Sequence, residues 1–370
     1  MKKIASILII WLIAINVFAI FANQRLVLSP DVAYKWIDSS VQYQQQGQGF
    51  FALHNKWDSL WYLDIAKNGY SYVENSLSNI VFFPLYPLVM KFFTFGFIPL
   101  EVAGWIVSVL SLFGALIFLF KITEKFHPNI SSYEPLLYLL LFPTAFFLNA
   151  TYTESLFLFL SVLTFYLFLK KNYMGAGIVG LLASLTRING VLLMIPFLIE
   201  IIINERKKEG GFEIKSFLKK SLPMLLILLG PLMFFIYHYV QFGDFFAFFN
   251  VESTFGRSFV VNQDHLAGSD FVSRSNMYFD MTIAILVFIA GVITMYRVRL
   301  SYGLYILATL FLPLSTGTLM SIGRYVLVAF PIFILMASFK NIYIKWSYVL
   351  VSILMCAMIT ILFVNNGWAG

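Results

Sequence analysis

The chain has 370 residues, 60% hydrophobic and only 12% charged, with a net charge of +7 and a mean hydropathy of +0.83. Soluble domains carry roughly 25% charged residues, so a water-covered enzyme of this size is excluded. Disorder is excluded too, since it needs low hydrophobicity and high charge. The single Cys356 allows no intrachain disulfide, and the four histidines (His54, His127, His238, His265) lack metal-ligand spacing.

What remains is an all-α polytopic membrane protein. A transmembrane helix takes about 20 mostly apolar residues. In chain order, such runs lie at Ile4–Ala22, Val102–Phe120, Pro135–Ala150, Ser155–Leu169, Tyr173–Leu185, Gly190–Ile203, Leu222–Tyr239, Met281–Tyr296, Tyr302–Leu319, Tyr325–Ser338 and Tyr348–Val364. They predict a bundle of about eleven helices, some short and broken by proline, which is tolerable where neighbouring helices or water cover the freed backbone. The first run follows Lys2 and Lys3, but its apolar stretch exceeds the 7–15 residues of a secretory core, so it is expected to remain as a helix. Phe82–Phe97, with two prolines and Lys91, is expected to lie at the membrane interface.

Lys and Arg bias sets the expected orientation. With a cytoplasmic N-terminus, the inside segments hold Lys2, Lys3, Lys121, Lys125, Lys170, Lys171, the run Arg206–Lys220, Arg297, Arg299, Lys340 and Lys345. The basic run Arg206–Lys220 then meets anionic lipid, and nucleic acid is not needed to explain the charge. Two long loops fall outside, at about 23–100 and 240–280, and loops of that length are usually functional. Gln42–Gln48 reads as a flexible stretch of the first, while Arg257 and His265 in the second read as solvated. The whole is expected to form one membrane domain over 1–370, suited to a bacterial cell membrane, with the site on its outer face.

Five motifs stand out, and four of them carry the expensive residues. Trp57–Tyr70, WDSLWYLDIAKNGY, reads as an amphipathic interfacial helix ended by Gly69, with Trp57, Leu60, Trp61 and Ile65 on one side. Asp64 projects within that apolar side and Asp58 sits at its edge, so the two carboxylates need not share a site. Phe82–Pro87, FFPLYP, is stiffened by its prolines and reads as a turn back into the membrane. In TYTESLFLF, Thr151 and Glu154 fit a helix capping box, and an acid entering an apolar span is also a functional candidate. Arg187, in ASLTRING, and Arg324, in SIGRYVLVAFP, sit at outer ends of spans, against the positive-inside tendency. A guanidinium offers a fork of donors suited to phosphate. Asp58, Glu154, Arg187 and Arg324 are thus expected to converge on one face of the membrane.

These motifs, in this order from about residue 57 to residue 331, resemble the PIG-V-like mannosyltransferase family, a group of GT-C glycosyltransferases related to GPI mannosyltransferase 2. The resemblance implies a GT-C-like bundle and an inverting transfer of mannose, or a related hexose, from a polyprenyl-phosphate sugar to an acceptor hydroxyl on the non-cytoplasmic face. It implies Asp58 as the general base, and Glu154, Arg187 and Arg324 match polar positions of the family; together with Trp57, Trp61, Tyr62, Asn189 and Tyr325 they are expected around the substrates. The acceptor is left open between glycan, lipid and protein, since Trp61 stands where some relatives carry His. No D-x-D occurs in the first loop, so no obligatory metal cofactor is indicated. A transporter or flippase of lipid-linked saccharides is the main rival; it predicts mid-membrane charges and symmetric halves. A non-catalytic scaffold that holds a partner through its aromatic loop is a weaker one.

Overall fold

The computed structural model describes all residues except 27, 44–48, 74, 75, 210, 256–270, 317, 318 and 370. Arg257 and His265 therefore lie outside the described residues, as does most of the tract 42–48. The described residues form helices and connecting turns, with no strand among them. Six helices are long and apolar enough to cross a membrane, and three shorter apolar ones accompany them. The chain is a multi-pass membrane protein.

Helix α1 (Lys2–Arg25) leads into the first long loop. That loop folds into α2 (Val32–Ser40), α3 (Asp58–Asn68) and α4 (Leu85–Phe93). The long α5 (Leu100–Phe126) follows, and then α6 (Glu134–Leu140), α7 (Glu154–Leu169) and α8 (Tyr173–Thr186). Next come α9 (Met194–Arg206), α10 (Ile214–Ser221), α11 (Leu226–Phe242) and α12 (Ala247–Glu252). The remainder comprises α13 (Phe271–Arg297), α14 (Leu300–Leu314), α15 (Ile322–Leu327), α16 (Pro331–Ser338) and α17 (Ile342–Val364).

Several expectations change. The run 135–150 is not one helix: α6 stops at Leu140 before Pro143, and a 3₁₀ turn follows at Ala145–Asn149. The run 325–338 is likewise split, because Pro331 opens α16 and cannot continue α15. Helix α13 starts at Phe271, well ahead of the apolar run, so part of the second outer loop is helical. Helix α3 does not rest on the interface. Ser59–Ala66 are buried all round it, under the rest of the first loop and α5. The basic run is only partly available to lipid, since Lys208 and Lys220 both bind the buried Glu205 carboxylate, at 2.5 and 2.6 Å.

Short helices in the interior explain how polar groups survive at membrane depth. Helix α7 has 16 residues, at 1.5 Å each about 24 Å, against a hydrocarbon layer of about 30 Å. It is packed between α5 and α8, so its irregular entrance at 150–153 meets protein rather than lipid. Helices α8 and α11 approach closely through small residues, as membrane helices do. A Cβ at Gly180 would lie 2.7 Å from Ile227 Cγ1, and one at Gly230 would lie 2.1 Å from Ser184 Oγ. Ser184 Oγ itself donates to the Ile227 carbonyl at 2.6 Å.

A buried polar network ties the first loop to the bundle. His54 Nε2 lies 2.7 Å from Asn16 Oδ1 in α1 and 3.1 Å from Asn149 Nδ2. Asn149 Nδ2 donates to Asn16 Oδ1, and Trp105 Nε1 in α5 donates to Asn149 Oδ1 at 3.0 Å. Burial lowers the His54 pKa to about 4, so the imidazole is neutral in the folded protein. The unfolded chain binds that proton below about pH 6.5, whereas the folded one resists it until about pH 4. Stability should therefore fall as pH drops from about 6.5 to 4. Thermal midpoints of the detergent-solubilised protein across that range should show a slope that His54→Asn reduces; equal slopes would refute the assignment.

Candidate active site

The first loop and the ends of α8 and α15 enclose a cavity of about 690 Å³. Asp58 reaches it from the first turn of α3. The preceding residue, Trp57, holds a positive φ of 53°, unusual for a bulky side chain and of a kind that costs about 1–3 kcal/mol. Its anchors offset that strain. The Trp57 indole donates to the Gly367 carbonyl at 3.2 Å and packs edge-on against Trp368 at 4.8 Å. Gly69, at φ 87°, ends α3 as expected.

Arg187 is the residue after α8, where the chain turns extended before a 3₁₀ turn at Ile188–Leu193. Arg324 projects from the six-residue α15. Both guanidinium groups meet Glu154, whose side chain has no exposed surface. Arg187 Nη1 donates to Glu154 Oε1 at 2.7 Å and to Thr153 Oγ1 at 3.2 Å. Arg324 Nε lies 2.9 Å from the same Oε1, but its alignment is too poor for a hydrogen bond. Arg324 Nη2 donates to Asp58 Oδ2 at 2.6 Å. The Tyr325 ring lies 4.9 Å from the Arg187 guanidinium, and the Tyr152 ring 5.1 Å from that of Arg324. Two acids and two bases thus interlock with formal charges that cancel.

The structure brings Trp57, Asp58, Tyr62, Arg187, Asn189, Arg324 and Tyr325 to the cavity wall. Glu154 is not on that wall; it lies behind the two arginines. Nor does it cap a helix, because α7 begins at Glu154 itself and Thr153, its N-cap residue, makes no side-chain cap bond. The capping box expected from Thr151 and Glu154 is absent, since the carboxylate is engaged by guanidinium groups. Trp61 is also off the wall: it stacks on Phe82 at 5.8 Å and packs edge-on against Phe255. Asp64 belongs to the loop scaffold, where Asn68 Nδ2 and Asn79 Nδ2 donate to its two oxygens at 2.8 and 3.0 Å.

Some polar groups at the cavity wall and behind it keep unspent hydrogen-bonding capacity. Asn189 Nδ2, Glu154 Oε2 and Arg324 Nε are buried without a hydrogen-bond partner. The phenols of Tyr62 and Tyr152 remain protonated, because burial, reinforced by the nearby Asp58 charge, pushes both well above the usual tyrosine range. Tyr152 donates to the Lys56 carbonyl and accepts from the Asp58 backbone N–H at 3.3 Å, which fixes the start of α3. Sequence reasoning also passed over Asp31, Asp280 and Trp368, all on the wall. Asp280 was the most findable, as an acid at the edge of an apolar span. Among the described residues no group of three or more His, Cys, Asp or Glu could hold a metal ion.

With this geometry in view, residues 3–246 match the family model described as mannosyltransferase (PIG-V). The chain belongs to the PIG-V mannosyltransferase family. It is 27% identical over 179 residues to GPI mannosyltransferase 2 of Schizosaccharomyces pombe, covering 43% of this chain and 37% of that protein. It is 31% identical over 139 residues to GPI mannosyltransferase 2 of Drosophila pseudoobscura pseudoobscura, covering 35% and 28%. The matches therefore span about a third of each relative's length. The family model covers Asp58, Glu154 and Arg187, while Arg324 lies beyond the matched residues.

Removing Glu154 would leave the buried Arg187 without its acid partner and Arg324 with Asp58 alone, and breaking a buried ion pair costs about 3–5 kcal/mol. Glu154→Ala should accordingly unfold at a clearly lower temperature in detergent, with Glu154→Gln intermediate. An unchanged midpoint in both variants would show that the arginines do not depend on this carboxylate.

Proposed function

We propose that the protein is a membrane glycosyltransferase that moves mannose, or a related hexose, from a polyprenyl-phosphate donor to an acceptor hydroxyl, with inversion at the anomeric carbon. The observation that carries this reading is one wall of one cavity bearing a carboxylate, Asp58, beside two guanidinium groups, Arg187 and Arg324. Family membership supplies the sugar class, and the lipid-linked donor accounts for a site sunk into a helical membrane bundle.

The chemistry follows from the groups present. A sugar hydroxyl is a weak nucleophile, so Asp58 accepts its proton as the oxygen attacks the anomeric carbon. The bond from that carbon to the phosphate oxygen breaks with its electron pair leaving on the phosphate. The leaving group is already anionic and needs charge stabilisation more than a proton, which Arg187 and Arg324 supply from fixed positions. Asn189 Nδ2, buried and unpartnered on the wall, adds a neutral donor for a phosphate or sugar oxygen. Tyr62 and Tyr325 shape the space between donor and acceptor. Charge bias places the cavity on the non-cytoplasmic face, with the N-terminus cytoplasmic.

Purified protein supplied with polyprenyl-phosphate mannose and candidate acceptors should transfer sugar. Asp58→Asn should lower the rate by about 10²–10⁴ while the variant still folds and binds donor; undiminished turnover would remove Asp58 from the mechanism. Arg187→Lys and Arg324→Lys keep the charge on Glu154 but lose the fork. Each should raise the donor KM by about tenfold, roughly 1.4 kcal/mol, and unchanged donor binding in both would refute the phosphate role. On a Cys356→Ala background, an impermeant thiol reagent should label Lys91→Cys from outside intact cells and leave Lys207→Cys untouched. The reverse pattern would overturn the orientation.

A further inference from the structure

Arg324 sits on a helix of six residues, too short to fix its own direction. What aims it is the turn before it, and that turn is gripped from two sides. Asp280, in α13, is 3% exposed at the cavity wall. Its oxygens are spent on the turn's backbone: Oδ1 accepts from Gly323 N–H at 2.9 Å and Oδ2 from Ser321 N–H at 3.2 Å. From the opposite side, Thr144 Oγ1 donates to the Gly323 carbonyl at 2.8 Å.

The turn is also one the chain would not adopt unaided. Ser321 has a left-handed backbone with φ 67°, disfavoured for a residue with a Cβ. Gly323 is closely hemmed in, since a Cβ there would lie 3.0 Å from the Phe279 ring and 3.1 Å from Thr144 Cγ2. Phe279 adjoins Asp280, so the same stretch of α13 presses on the turn and binds it. Strained backbone next to a functional side chain persists only where its surroundings over-determine it.

We propose that Asp280, with Thr144 opposite, is a positioning residue for Arg324, holding the 321–323 turn so that the guanidinium stands between Asp58 and Glu154 and faces the leaving phosphate. The proposal rests on the functional reading given above. Asp280 acts through that turn, since each of its oxygens accepts from one of the turn's backbone N–H groups. Its carboxyl oxygens are used locally, accepting from two backbone donors that burial would otherwise leave unpaired.

The test compares wild type, Asp280→Ala, Asp280→Asn and Thr144→Val for kcat/KM toward polyprenyl-phosphate mannose, KM for the acceptor, and thermal midpoint. Asp280→Ala should lower donor kcat/KM by about 10²-fold, the scale set by a misplacement of about 1 Å, and leave the acceptor KM in place. Asp280→Asn, which retains one acceptor oxygen, should recover part of the loss, and Thr144→Val should shift donor kcat/KM in the same direction by less. In an Arg324→Gln background the further change to Asp280→Ala should have little effect, since both alter one interaction. A lower midpoint with unchanged donor kcat/KM in the folded fraction, or equal loss for donor and acceptor, would overturn the positioning role. If the wild type transfers no sugar, the functional reading falls and backbone amide exchange at 321–324 tests the clamp by itself. Faster exchange in Asp280→Ala than in wild type supports it there, and equal protection overturns it.

Discussion

A carboxylate with no exposed surface, placed between two guanidinium groups, is the constraint around which this molecule is organised. Desolvating an ion costs several kcal/mol even after relaxation, so none of Glu154, Arg187 and Arg324 could be buried alone. Together with Asp58 they cancel formally, and their positions fix four otherwise separate segments against one another: the start of α3, the entrance to α7, the end of α8 and the short α15. The irregular backbone at 150–153 and the shortness of α7 and α8 follow from the same demand. Charges at this depth need protein around them, and the chain provides it by ending helices early and enclosing their ends with the first loop.

That arrangement gives the two arginines different freedom. Arg187 is held by Thr153, Glu154 and the face of Tyr325, on a turn that continues directly into α9. Arg324 spans Glu154 and Asp58 and so links the buried acid to the one that reaches the cavity. An anion entering the cavity meets donors that are already oriented, which is the condition for electrostatic stabilisation without reorganisation.

The membrane class, the chief apolar runs and the convergence of Asp58, Glu154, Arg187 and Arg324 were legible in the sequence, because hydropathy and charge cost are local properties. The contacts were not. Asp58 and Arg324 are 266 residues apart, and no periodicity reports such a pairing. For Glu154 the spacing from Thr151 fits a cap as well as a functional role, and its three-dimensional partners outweigh the local motif. Helix α3 was read as interfacial because its aromatic side suits a membrane surface; in the fold the loop covers it and every side is buried. Asp280 went unremarked because it lies one residue ahead of an apolar run, where an acid looks like a solvated end.

The segment after α17 binds the first loop throughout its length. Asp31 N–H donates to the Asn366 carbonyl, Trp57 Nε1 to the Gly367 carbonyl, and Trp368 N–H to Asp31 Oδ2 at 2.6 Å. Trp368 is also part of the cavity wall. Helix α1 meanwhile carries the start of the chain away from this region over 24 residues, about 36 Å at 1.5 Å per residue. A purification handle or fluorescent fusion joined beyond residue 369 would crowd the stretch of cavity wall that Trp368 forms. The same handle placed ahead of Lys2 would sit at the far end of the bundle, clear of that wall.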